Sequence, residues 1–252
     1  MKSIHCLLIT FICCACSSGH KNVPPKTKVE KQTFEIQHTE IDPKSDEHKI
    51  HSTNYRILPV DETAKDKSLQ TFVSKLKGIV KRKDLAGLLT CLDTGIVLSW
   101  GGGMSGVETF LEEWELNKKP EKSELWPKME QFLQLGGAWE DDKKEFRFPY
   151  AQCDRFFQNM DFDFDWYVTA VCISPKTNVY RKPFPNAEKT AILSYEVVQI
   201  LDRGDEFIKI QTIDKKVTGF VKKDQLILSA DSYPILEKIN NQWKIVSFAS
   251  YD

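Results

Sequence analysis

Five runs follow one another across residues 168–221: Val168-Thr169-Ala170-Val171-Cys172-Ile173, Ile192-Leu193-Ser194-Tyr195, Val197-Val198-Gln199-Ile200-Leu201, Phe207-Ile208-Lys209-Ile210-Gln211-Thr212-Ile213 and Lys215-Lys216-Val217-Thr218-Gly219-Phe220-Val221. Each is short and rich in β-branched or aromatic residues, and Asp202-Arg203-Gly204-Asp205 punctuates them as a turn cluster. Helices need longer runs with a 3.6-residue period, so this texture predicts the strands of a small barrel. Downstream, Pro234-Ile235-Leu236-Glu237-Lys238-Ile239 and Trp243-Lys244-Ile245-Val246-Ser247-Phe248 flank Asn240-Asn241-Gln242, which predicts a β-hairpin with a polar turn. That hairpin either extends the β-module or packs it on the part before it.

Within this region, Asn178-Val179-Tyr180-Arg181-Lys182-Pro183-Phe184-Pro185-Asn186 is similar to the Asn-Val-Arg-Ser-x-Pro-Ser opening of bacterial SH3-like domains, with one residue inserted. Phe207-x-Lys209-Ile210 stands where that family has Trp-x-Lys-Val, and Gly219-Phe220-Val221 followed by Leu226 stands for its Gly-Trp-Val and closing Leu. Two features depart from the pattern: Tyr195-Glu196 replaces the Gly before the second strand, and both Trp positions are Phe. The resemblance covers residues 168–228. It implies a small barrel filled by Phe207 and Phe220, with Gly219 allowing a sharp turn into the last strand. It also implies a ligand groove, for which Tyr180, Phe184, Tyr195 and Phe220 are the candidates; packing into the core is the competing role for all four, and the stronger one for Phe220.

The part before it reads as helical. Leu69, Phe72, Val73, Leu76, Ile79 and Val80 form one helical stripe, with Lys75, Lys77, Lys81 and Arg82 off it. Asp84 can cap a second short helix carrying Leu85, Leu88 and Leu89. Ile96-Val97-Leu98-Ser99-Trp100 predicts a strand or buried turn, and Gly101-Gly102-Gly103 a flexible turn, since no phosphate-loop pattern surrounds it. Ser105-Gly106-Val107-Glu108 has the form of a capping box. Another helix is expected from Ser123 to Leu135, closed by Gly136-Gly137. Asp161, Asp163 and Asp165 open like a calcium loop, but Phe162 and Phe164 interleave them, no Gly takes the sixth place and Cys172 stands at the twelfth. The segment is therefore expected to form a strand, aromatics inward and acids outward. Ser99-Trp100-Gly101-Gly102, the Gly106 helix and Phe148-Pro149-Tyr150 resemble the region preceding SH3-like modules in lipoproteins of the Bacteroidota type.

The N-terminus has a lysine, an apolar stretch from Ile4 to Ile12, and Cys13-Cys14-Ala15-Cys16-Ser17-Ser18-Gly19. This has the form of an export signal, too short to span a bilayer stably. It resembles a lipoprotein signal with Ala15 before the cut and Cys16 lipidated; Cys14 is a rival position, and an ordinary cleaved signal a rival reading. Residues 17–65 carry eight Lys/Arg and eight Asp/Glu with only Phe34 and Tyr55 as aromatics. Such a segment cannot offset its ordering entropy and is expected to be a tether with a reach of about 40 Å; the alternative docks Phe34-Glu35-Ile36 as an edge strand.

The expected organisation is α+β: signal peptide 1–15, flexible tether 16–65, a mostly helical domain 66–165, and an SH3-like β-barrel with C-terminal β-hairpin 166–252. Net charge is -1, with 35 Lys+Arg against 36 Asp+Glu, so no basic face for nucleic acid is visible. Cys91, Cys153 and Cys172 lack metal-ligand spacing and allow one disulfide at most. His5, His20, His38, His48 and His51 all precede residue 52, in the signal or tether, so the folded part is expected to lack the imidazole of Cys–His, Ser–His or zinc catalysis. No cofactor or metal is expected. The chain reads as an envelope lipoprotein, outer membrane favoured over inner, that binds a cell-wall peptide or envelope protein without catalysis. A glycan hydrolase using carboxylates such as Glu112, Glu113 and Glu115, and a purely structural subunit of an envelope complex, are the alternatives.

Overall fold

Helix α1 (Lys67–Arg82) forms where the apolar stripe predicts it. Asp66 caps it, accepting from the amides of Ser68 (2.7 Å) and Leu69 (3.0 Å). Leu69, Val73, Leu76, Ile79 and Val80 are buried along one face. Asp84 caps α2 (Leu85–Cys91) through the Gly87 amide at 2.8 Å. Helix α3 (Val107–Glu113) follows, then α4 (Leu125–Leu135), which Gly136 ends at φ 87°. The computed structural model describes residues 50–140 and 144–250. The export signal, Cys14, Cys16 and Phe34-Glu35-Ile36 lie outside the described residues.

The strands are β1 (Ile50–His51), β2 (Leu92–Ser99), β3 (Ala138–Trp139), β4 (Phe146–Arg147), β5 (Thr169–Cys172), β6 (Thr177–Tyr180), β7 (Lys189–Leu193), β8 (Val197–Arg203), β9 (Phe207–Thr212), β10 (Thr218–Lys222), β11 (Leu226–Leu228), β12 (Tyr233–Ile239) and β13 (Gln242–Ser250). They make two sheets, so the described chain is mixed α+β. An eight-stranded sheet in the order β1-β7-β6-β10-β9-β8-β5-β11 curls into a half-barrel. A five-stranded sheet runs β2-β13-β12-β4-β3.

The expected hairpin forms, with Asn240 and Asn241 at φ 48° and 64° making its two-residue turn. Its place corrects the boundary drawn at residue 166. β12 pairs β4 and β13 pairs β2 in parallel, so the C-terminal hairpin is the centre of the middle region's sheet. The reason is burial. The stripes of α1 and α2 need an apolar surface, and β13 supplies it with Trp243, Ile245 and Phe248. One core accordingly runs from Ile57 through α1, α2 and α4 to Phe248.

A second core, entirely aliphatic apart from Cys172, fills the half-barrel with residues such as Val179, Leu193, Val198, Ile208, Ile210 and Val221. Strands β5, β8 and β11 serve both cores. Ala170, Cys172, Val198, Leu226 and Leu228 face the half-barrel, while Val171, Val197 and Ile227 face the helical side. This double burial is why Val168–Ile173 has no polar alternation.

Five local expectations change. Residues 50–65, assigned to the tether, are ordered: 50–57 run along the half-barrel, where β1 pairs β7 in parallel, and Glu62 bonds Gly137, Trp139 and Arg155 of the middle region. Helix α3 has Gly106 at its cap, one residue past Ser105, which instead bridges Val97, so the capping box does not form. Gly219 lies inside β10 and makes no turn; a Cβ there would sit 2.5 Å from Val179 Cγ1 and 2.7 Å from the Tyr180 carbonyl, so close strand packing is its requirement. Phe207 and Phe220 alternate with Ile208 and Val221 and so point away from the aliphatic interior they were expected to fill. Residues 161–167 form no ladder, yet Phe162, Phe164 and Trp166 are half-buried while Asp161, Asp163 and Asp165 are exposed.

Candidate functional site

The four groove candidates are not brought together. Tyr180 and Phe220 are cross-strand partners, and Tyr180 packs edge-on against Phe207 at 5.7 Å. Tyr180 is only 7% exposed. Phe184 stands exposed in the β6–β7 connection. Tyr195 lies at the far side, at φ 55°, beneath the segment that enters from the N-terminus.

That segment, residues 50–57, is a strap. Its Ile57 amide donates to the Tyr195 carbonyl (3.0 Å), and its Tyr55 carbonyl accepts from the Val197 amide (2.8 Å). It also closes over Glu196, whose side chain is fully buried and accepts from the Thr53 hydroxyl at 2.6 Å and the Thr53 amide at 2.9 Å, with Arg56 Nε 3.9 Å away. Burial pushes the Glu196 carboxyl above the usual range, and the Thr53, Arg56 and His51 groups pull it only part of the way back.

His51 sits in this strap, so the folded part does contain an imidazole. Its Nε2 is 3.1 Å from the Asp214 carboxylate, which also accepts from the Thr212 hydroxyl (2.6 Å) and the Lys216 amide (3.2 Å). Burial works against the Asp214 charge, yet these three partners hold its pKa down at about 2. The group is therefore a hydrogen-bonded clasp joining strap to half-barrel. Among the described residues no thiol completes a catalytic pair with it: Cys91, Cys153 and Cys172 are free and buried, and burial pushes Cys91 and Cys153 up and Cys172 to about 12, far from the thiolate a nucleophile needs. Glu112, Glu113 and Glu115 are exposed on and just after α3.

A cleft of about 730 Å³ lies between α4 and the half-barrel edge, inside the size range of ligand sites. Glu124, Pro127, Lys128 and Gln131 line it at helical spacing, with Phe132 behind them. The opposite wall is β11 (Leu226, Ile227 and Leu228), of which Ile227 faces the helical side, together with Lys222, Lys223 and Asp224 before it and Asp231 after it. Asp205 and Glu206 of the β8–β9 turn close one end, held there by the Lys223 amide on the Glu206 carbonyl at 2.9 Å. Lys128 Nζ lies 5.6 Å from the Trp114 ring centre and 5.8 Å from that of Phe132. Burial lowers its pKa from the ordinary lysine value, with Asp231 opposing and Lys223 reinforcing the shift. Because β11 is the terminal strand of its sheet, the cleft borders a sheet edge. Sequence reasoning missed this site. Its two walls lie far apart in the chain, and lysines mixed with acids on a helix read as a solvated face.

A third polar centre surrounds Arg147. Its guanidinium faces Glu145 (2.8 Å), Asp154 (3.2 Å) and Glu140 (3.4 Å). Burial raises the Glu140 and Asp154 carboxyls above their ordinary range even though Arg147 pulls both down. Among the described residues no group of three or more His, Cys, Asp or Glu side chains could hold a metal ion, and no helix is long and apolar enough to cross a membrane. Comparison of the chain with family models, with curated proteins and with solved structures finds no match.

Proposed function

We propose that this chain is an envelope lipoprotein, acylated at Cys16, whose half-barrel is an SH3-like module and whose α4–β11 cleft binds a peptide without chemistry on it. The observation that carries this is the cleft itself: lysines and carboxylates on facing walls, beside a sheet edge. Lys128, Lys222 and Lys223 suit carboxylates, and Glu124, Asp205, Glu206 and Asp231 suit ammonium groups. A sheet edge suits an extended main chain. Together these fit a short peptide bearing both free amine and free carboxylate, as in cell-wall stem peptides; a segment of an envelope protein is the variant reading. The SH3-like assignment draws on the antiparallel β5–β11 strands around a small aliphatic core, and on the left-handed Tyr195 at the position where that family carries glycine. The buried thiols and the clasped imidazole support a binding rather than a cutting role.

The test is retention of the full chain, made soluble as Cys16→Ala, on purified wall sacculi. Retention that falls about tenfold in a Lys128→Ala, Lys223→Glu double variant is expected, since two charge contacts at roughly 0.5–1 kcal/mol each amount to that. Retention insensitive to both substitutions, or release of soluble glycan or peptide by the purified protein, overturns the reading. Palmitate labelling that survives Cys16→Ala overturns the anchor.

A further inference from the structure

Away from the cleft, the segment 154–167 builds a small aromatic corner. Phe157 is its buried floor. Phe164 lies 4.5 Å from Phe157, and Trp166 meets Phe164 edge-on at 4.6 Å with an interplanar angle of 87° and Phe157 at 6.4 Å with 64°. These rings, with Asp154 and Gln158, line an open pocket of about 180 Å³, room for a small headgroup and below the size of most ligand sites.

The pocket's one charged lining residue is a carboxylate, Asp154. The nearby cations are engaged elsewhere: Arg155 is paired with Glu62 at 2.9 Å and stacked on Phe156, and Arg203 donates to the Tyr167 carbonyl at 2.6 Å. Behind the pocket the Arg147 centre sets three carboxylates, one of them Asp154, against one guanidinium. Aromatic walls meeting near a right angle present negative ring faces, and ring faces with an adjacent surplus of carboxylate attract a cation too weakly hydrated to prefer water. We propose that the Phe157–Phe164–Trp166 corner with Asp154 is a binding site for a methylated ammonium group. A neutral apolar group would fill the same volume without using the surplus charge, and an anion would meet it as repulsion.

The group could belong to a free choline-like molecule or to a headgroup on a lipid, and the arms of the test separate these sources. The soluble full chain (Cys16→Ala), labelled at its indole nitrogens, is titrated to about 0.1 M with choline, with tetramethylammonium and with the neutral isostere 3,3-dimethylbutan-1-ol, the millimolar range expected of a single small cage. Saturable movement of the Trp166 indole resonance by both cations, at least tenfold weaker with the alcohol, is expected. Phe164→Leu keeps apolar volume but removes a ring face and should weaken the cations about tenfold; the remaining indole resonances report whether that variant is folded. Asp154→Asn should weaken the cations and leave the alcohol unchanged. Equal response to alcohol and cations, or no movement at Trp166, overturns the proposal. Phosphocholine vesicles that bind the chain and are displaced by choline assign the lipid source, and choline binding without vesicle binding assigns the free one. Lys128→Ala, which tests the cleft, should leave this site unaltered, so the two proposals fail separately.

Discussion

Removing the Thr53 hydroxyl tests whether the strap is part of the fold. Glu196 is fully buried and its closest donors are the Thr53 hydroxyl at 2.6 Å and amide at 2.9 Å. A hydrogen bond to a charged group contributes roughly 1.5–3 kcal/mol, and Thr53→Ala deletes one while the amide bond stays. The same change removes the Tyr55 amide's acceptor, the Thr53 hydroxyl at 2.9 Å. A loss of about 2 kcal/mol at pH 7 follows, or a fall in Tm of about 4–8 °C for a domain of this size. The pH dependence is distinctive. The folded-state pKa of Glu196 lies above its ordinary value, so between those two values the folded protein holds a proton the unfolded chain has released, and stability falls as pH rises through that window. Thr53 limits this fall by binding the ionised form. Its contribution is therefore present above the Glu196 titration and absent below it, so the penalty of Thr53→Ala should shrink as pH drops toward 4. Thr53→Ser should cost little, and in a Glu196→Gln background the Thr53→Ala penalty should fall to less than half. Urea unfolding from pH 4 to 8 measures all three. A penalty under about 0.5 kcal/mol, or one flat across that range, would refute the reasoning, because it would mean that water reaches Glu196 and the strap is not closed.

Asp214→Asn should destabilise the protein at pH 5 and cost almost nothing near pH 2: the folded pKa is depressed to about 2, so the stability it confers is present above the unfolded value and lost as pH falls toward 2, which thermal unfolding across that range will show. Gly219→Ala should cost about 1–3 kcal/mol, since the new Cβ meets Val179 and the Tyr180 carbonyl, one of them backbone that cannot step aside; its urea midpoint compared with that of Gly78→Ala, a half-buried helical site where the new Cβ meets only the flexible end of Arg82, is the check. Arg147→Met should cost about 3–5 kcal/mol at pH 7, leaving Glu140, Glu145 and Asp154 facing one another, with much of the loss recovered at pH 4 where the raised carboxyls are protonated. Urea midpoints at the two pH values measure it.

What could be seen in the sequence was local. The α1 stripe, the Asp84 cap, the β-runs of 168–228 and the Asn240-Asn241 hairpin are each specified by residues a few positions apart, so periodicity and turn chemistry find them. The partner of each element was not visible. Trp243, Ile245 and Phe248 announce a strand with an apolar face, but nothing local says that β13 lies beside β2, a strand that ends more than a hundred residues earlier. Composition misled at the strap for a related reason. Residues 50–57 bury few large side chains, so an entropy argument assigns them to disorder, yet the half-barrel supplies what they lack: an unpaired β7 edge, a buried carboxylate that needs Thr53, and Asp214 for His51. The same logic explains both candidate sites. The cleft exists only where α4 meets β11, and the aromatic corner only because 154–167 folds back on itself; residue types were visible at every position, and their convergence was not. A segment that orders by completing another's unsatisfied groups has a low cost of release, since few apolar contacts are lost. In this chain that segment is the one that joins the half-barrel to residues 1–49. A pull from that side would load the Thr53–Glu196 and His51–Asp214 bonds before it loads the core, so the strap should be the first element to exchange its amide hydrogens.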